Sequence, residues 1–149
     1  MKTFFHRLTA WFIAAIITAV LGSLFSTLRI LASLKNIGAP IDGSSIISMA
    51  SYDIWHFSGI YGVFIAIAFL IAFLAAKLLH KKVGHSRSII YISAGTIAMA
   101  VMLWLMQKVF FGDPLIGGTR DAFGLVLQLF AGAVGGFSFA KLRLLKTTA

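Results

Sequence analysis

The chain has 149 residues, of which 60% are hydrophobic and 11% charged, and its 13 Lys+Arg against 4 Asp+Glu give a formal net charge of +9. A soluble domain is typically about 25% charged, and a chain this apolar has too little polar surface to wrap a water-soluble core. The composition therefore excludes a soluble fold and argues against nucleic acid as the reason for the basic balance. The absence of cysteine excludes disulfides, thiol nucleophiles and Cys-ligated zinc.

A spanning helix needs about 20 largely apolar residues, because the hydrocarbon core is about 30 Å thick and each residue rises about 1.5 Å. Four uncharged windows meet that length: residues 8–28, 54–76, 88–107 and 122–140. Their apolar residues run continuously, whereas a barrel strand would alternate. The expected fold is thus all-α: a polytopic protein whose four transmembrane helices form one compact domain over residues 1–149.

Lys2 and Arg7 resemble the basic start of a signal peptide, with Gly22-Ser23 as a conceivable cleavage point. The uncharged run nevertheless continues to Leu28 and no clear A-x-A site follows, so the segment is expected to remain as the first span. The loop 29–53 keeps helix-forming residues through Asn36 before Gly38 and Pro40. After the Asp42-Gly43 turn, residues 44–52 are amphipathic enough for a short interfacial helix capping the bundle. Residues 77–87 make a short basic link. Residues 112–119 are rich in turn formers, and Thr119 or Asp121 can cap the fourth helix.

Four spans place both termini on one side, together with the link between spans two and three. Those segments carry Lys2, Arg7, Lys77, Lys81, Lys82, Arg87, Lys141, Arg143 and Lys146, and no acid. The other side carries Arg29, Lys35, Lys108 and Arg120 against Asp42, Asp53, Asp113 and Asp121. By the positive-inside rule the termini are expected in the cytoplasm, N-in and C-in. Lys77, Lys81, Lys82, Arg87, Lys141 and Arg143 are the expected contacts for anionic lipid headgroups, each worth about 1 kcal/mol. Tyr91 and Phe139 are expected in the aromatic belt of the inner boundary, and Tyr61, Trp104 and Phe123 in that of the outer one.

Helices in lipid associate through close contact of small residues and a few polar bonds. The fourth span has the i+4 row Gly124, Gln128, Gly132, Gly136, and the first has small rows that include Ala15, Ala19, Gly22 and Ser23. The first and fourth spans are expected to cross at these faces. Gln128 is the most polar side chain well inside a span. Its plain reading is a packing hydrogen bond; its sharper one is the wall of a pore shared with Thr18, Ser23 and Ser26.

No Asp, Glu, Lys or Arg falls inside any window, which argues against proton relays, ion-coupled pumps and voltage sensing. The chain has no HExxH, no GxSxG and no P-loop, so an enzyme is not expected and no cofactor is called for. Asp53, His56, Asp113, Arg120 and Asp121 gather on the outer side. They read as solvated interfacial groups, caps and charge partners, or more sharply as a cation site.

Residues 53–73 (DIWHFSGIYGVFIAIAFLIAF), 117–124 (GGTRDAFG) and 127–142 (LQLFAGAVGGFSFAKL) resemble a group of small four-span inner-membrane proteins of proteobacteria that lack an assigned activity. The resemblance covers roughly half the chain and rests on packing motifs. It implies a bacterial inner membrane and carries no chemistry. The expected role is a structural or accessory subunit that self-associates or docks with a larger membrane complex, with a homo-oligomeric channel or facilitator as the alternative.

Overall fold

Both prolines, Pro40 and Pro114, fall outside the long uncharged runs, so no span loses a backbone hydrogen bond to one. The computed structural model describes residues 2–36, 43–52, 58–83, 86–109 and 121–144, which are almost entirely helical. The elements are α1 (Lys2–Asn36), α2 (Gly43–Tyr52), α3 (Ser58–Val83), α4 (Arg87–Val109) and α5 (Ala122–Leu144). The helices α1, α3, α4 and α5 are each long and apolar enough to cross a membrane. The chain is an integral, multi-pass membrane protein.

The four long helices form a bundle in which α1 and α4 each pack on both α3 and α5, while α2 touches α1. Neighbours are antiparallel: Gly22 of α1 meets Gln128 of α5, and Arg29, seven residues on, meets Asp121. One end of the bundle, the basic end, holds the start of α1 and α4 and the close of α3 and α5. At about 1.5 Å per residue, the 35 residues of α1 reach about 52 Å, well beyond a hydrocarbon core of about 30 Å. The helix thus continues through Asn36, as its composition predicts, before α2 begins at Gly43.

The first span puts its small and polar residues inside, and large apolar side chains of all four spans face outward. Ala14, Ala15, Thr18, Ala19, Ser23, Ser26 and Thr27 of α1 are all buried, whereas Phe12, Ile16, Val63, Ile71, Val101 and Val126 are exposed. Buried hydroxyls fold back onto their own helix: Thr18 donates to Ala14 O at 2.9 Å and Thr27 to Ser23 O at 3.1 Å. This satisfies them where water is absent. Basic residues close each long helix, with Lys35, Lys81 and Lys82, Lys108, and Lys141 and Arg143 in the last turns, complementing the negative end of the helix dipole.

The crossing expected between the first and fourth spans differs in detail. α1 and α5 do pack together, but Gly132 and Gly136 meet α4 instead. Consecutive members of an i+4 row advance by about 40° around a helix. The row therefore turns from α1 and α3 at Gln128 toward α4 at Gly132 and Gly136.

Candidate functional site

The central polar feature is built on Gln128, which is 1% exposed. Its Oε1 accepts a hydrogen bond from the Tyr61 hydroxyl of α3, and its Nε2 donates to the Gly22 carbonyl of α1, both at 2.8 Å. One side chain of α5 thereby ties two other helices. Gly22 is required by the close approach: a Cβ there would stand 2.7 Å from Gln128 Oε1 and 2.9 Å from Tyr61 Cε1. One turn toward the basic end, Thr18 lies against Gly135 and within 3.5 Å of the Ala131 carbonyl. Ser26 is buried, and the Ser23 hydroxyl is buried with no hydrogen-bond partner among the described residues.

The tightest seam joins α4 and α5. A Cβ on Gly95 would collide with the Gly132 carbonyl, and one on Gly136 with the Tyr91 carbonyl. Obstruction by backbone cannot be relieved by a rotamer change, so the two helices approach this closely only with glycine at the crossing. Gly124, Ala15 and Ala19 are buried as well.

At the end opposite the basic one, Asp121 accepts from the Gly124 backbone N–H at 2.9 Å, which caps α5, and forms an ion pair with Arg29 of α1. The Arg29 guanidinium also lies 5.1 Å over the Phe123 ring. Of the outer polar group, only Asp121 is described. Asp53, His56, Asp113 and Arg120 lie outside the described residues, as do Gly38, Pro40, Asp42, Thr119 and Lys146.

At the basic end Phe69, Phe73, Tyr91 and Phe139 stack into one cluster, with Phe73 and Phe139 4.3 Å apart in parallel contact. Tyr61, Tyr91 and Phe139 are buried against neighbouring helices, and each tyrosine hydroxyl finds a partner inside the protein. Arg143 donates to the Tyr91 hydroxyl and lies over the Tyr91 and Phe139 rings at 5.6 and 5.7 Å. Lys77, Lys81, Lys82, Arg87 and Lys141 are exposed. Arg87 Nε donates to His80 Nε2 at 3.0 Å, bridging α3 and α4.

No protein-family model, curated protein or solved structure matches the chain. Its own residues are therefore the whole basis for a functional reading.

Two surface features are not among the expected site residues. Along the α3–α4 seam an apolar groove of about 450 Å³, lined by Ala68, Ala72, Ala98 and Met102, continues into a second of about 560 Å³ lined by Ala72, Ala75 and Ala94. Trp11 and Arg7 of α1 line a separate cavity at the basic end. The alanine row 68, 72, 76 of the second span signals the groove; periodicity alone does not say which small rows close within the chain.

Proposed function

We propose that the chain is a non-enzymatic structural or accessory subunit of a bacterial inner membrane, with both termini in the cytoplasm. In this reading it associates through the α3–α4 seam with a transmembrane helix of a second copy or of a larger membrane complex. The observation that carries it is the contrast between two kinds of small-residue face. Thr18, Gly22 and Ser23 of α1 and Gly132 and Gly136 of α5 are closed within the chain, while Ala68, Ala72 and Ala75 of α3 line an open groove of the kind a further helix can enter. The commitment of both Gln128 polar atoms to Tyr61 and Gly22 supports packing over a pore wall. Orientation rests on the nine cations and no acid of the terminal segments and the α3–α4 link.

Native mass measurement in mild detergent tests the association. A mass above one chain, or a co-purified membrane partner, is expected, and Ala72→Leu should abolish it without moving the unfolding midpoint. A monodisperse monomer with no partner would count against the reading. Flux of ions and small solutes through protein-containing liposomes tests the channel alternative: flux lost in Gln128→Leu would put it in front. Because the chain lacks cysteine, single substitutions Ser44→Cys and Ser86→Cys report orientation directly. An impermeant maleimide added outside spheroplasts should label only the first.

A further inference from the structure

We propose that the cavity at the basic end is a binding site for one anionic phospholipid of the phosphatidylglycerol class. The cavity holds about 200 Å³ and is built by three helices, each contributing one cation: Arg7 of α1, Lys77 of α3 and Arg143 of α5. Among the described residues the one carboxylate side chain, Asp121, lies at the other end of the bundle, and Asp42, Asp53 and Asp113 fall outside the described residues. Three cations lining one cavity, with no carboxylate in its wall among the described residues, call for an anion.

The level of the cavity and its walls identify the kind of anion. Arg7 and Lys77 border the first and second uncharged runs, where lipid phosphates lie. Leu8, Leu70 and Leu74 line the same cavity and remain exposed, so apolar wall continues from the cations toward the bilayer interior. An amphiphile with a phosphate head and acyl chains matches both parts, whereas a free phosphate would leave the leucine wall uncovered. A zwitterionic lipid would bring its own ammonium group into a cationic site. Basic pockets between spans are a recurring way of holding acidic lipid headgroups.

Two of its walls are also held in place. The Arg143 guanidinium is held by the Tyr91 hydroxyl and by the rings of Tyr91 and Phe139, using one of its five N–H donors on tyrosine. Trp11, in the cavity wall, is fixed by donating its indole N–H to the Ala66 carbonyl at 3.1 Å. Little further ordering of these two side chains is then needed when the lipid enters. The inference needs only membrane insertion and is independent of the accessory role and of orientation.

Trp11 supplies the test. In a Trp55→Phe/Trp104→Phe background it is the sole tryptophan, and its fluorescence in vesicles is read against brominated phosphatidylglycerol and brominated phosphatidylcholine at equal mole fraction. Stronger quenching by the anionic lipid is expected. One cation near an acidic headgroup is worth about fivefold in binding, so Arg7→Gln/Lys77→Gln should lower the preference by up to about 25-fold. Lys81 and Lys82 do not line the cavity, and a headgroup they hold is not the one Trp11 reports, so Lys81→Gln/Lys82→Gln, with the same charge loss, should change the preference read at Trp11 less than about twofold, and Arg7→Lys/Lys77→Arg should retain it. Unchanged unfolding midpoints establish that the variants are folded. Three results would overturn the proposal: equal quenching by both lipids, which means acyl-chain contact alone; equal losses in both Gln pairs, which means a diffuse field; or loss of preference when inorganic phosphate replaces chloride at constant ionic strength, which means a free-anion site.

Discussion

Replacing Gln128 by leucine removes two interhelical hydrogen bonds at once and leaves a tyrosine hydroxyl and a backbone carbonyl in a buried setting. Both bonds are 2.8 Å long, and the two side chains are almost fully enclosed, with Gln128 1% and Tyr61 2% exposed. Side-chain hydrogen bonds between membrane helices average about 0.6 kcal/mol and reach about 1.7. A buried hydroxyl that loses a hydrogen-bond partner costs up to about 1–3 kcal/mol. The Gly22 carbonyl retains a helical partner and adds less. Gln128→Leu is therefore expected to destabilise by about 1.5–3 kcal/mol, and Tyr61→Phe, which spares the Gly22 bond, by about 1 kcal/mol.

The decisive quantity is the coupling between the two. With both partners apolar, the double variant should be less destabilised than the sum of the singles by about 0.6–1.7 kcal/mol. Reversible unfolding in mixed micelles, followed by circular dichroism against the mole fraction of sodium dodecyl sulfate, measures all four corners of the cycle. Additivity within about 0.3 kcal/mol would refute the Tyr61–Gln128 bond and with it the view that Gln128 is a packing element.

Gly95→Ala and Gly136→Ala set a methyl group against backbone across the α4–α5 seam, so each should cost about 1–3 kcal/mol or more in the same assay, while Gly43→Ala, with nothing within 4 Å, should move stability by less than about 0.5 kcal/mol. Asp121→Asn keeps an acceptor for the Gly124 N–H and loses the Arg29 ion pair, which is partly exposed, and should cost less than about 1 kcal/mol. Asp121→Ala also loses the cap and should cost about 1 kcal/mol more; equal losses in the two variants would show that the cap contributes nothing.

The polar tie is partly legible in the amino-acid order. Gly22 lies six residues inside its window, Gln128 six and Tyr61 seven, each measured from the same bilayer boundary, so all three sit at a depth of about 10 Å. Matching depth makes the contact possible. It does not select it, because the face each residue presents depends on rotations that only packing sets. For that reason Tyr61 reads as an interfacial aromatic and is also a buried donor. The depth of Gln128 is readable while its partners are not.

What the sequence determined alone was the part governed by one-dimensional physics. Bilayer thickness sets the length of an uncharged run, and the four long helices follow from it, together with the run of α1 through Asn36 and a cap of α5 at Thr119 or Asp121, of which the structure shows Asp121. What the tertiary structure decided was which small rows meet. The i+4 row of α5 winds by about 40° per step, so a stripe that looks like one face serves α1 and α3 at Gln128 and α4 at Gly132 and Gly136. The gathering of Arg7, Lys77 and Arg143 into one cavity is likewise a product of folding. Those residues are 70 and 66 positions apart in the chain, and only the antiparallel return of three helices to one end brings their charges together.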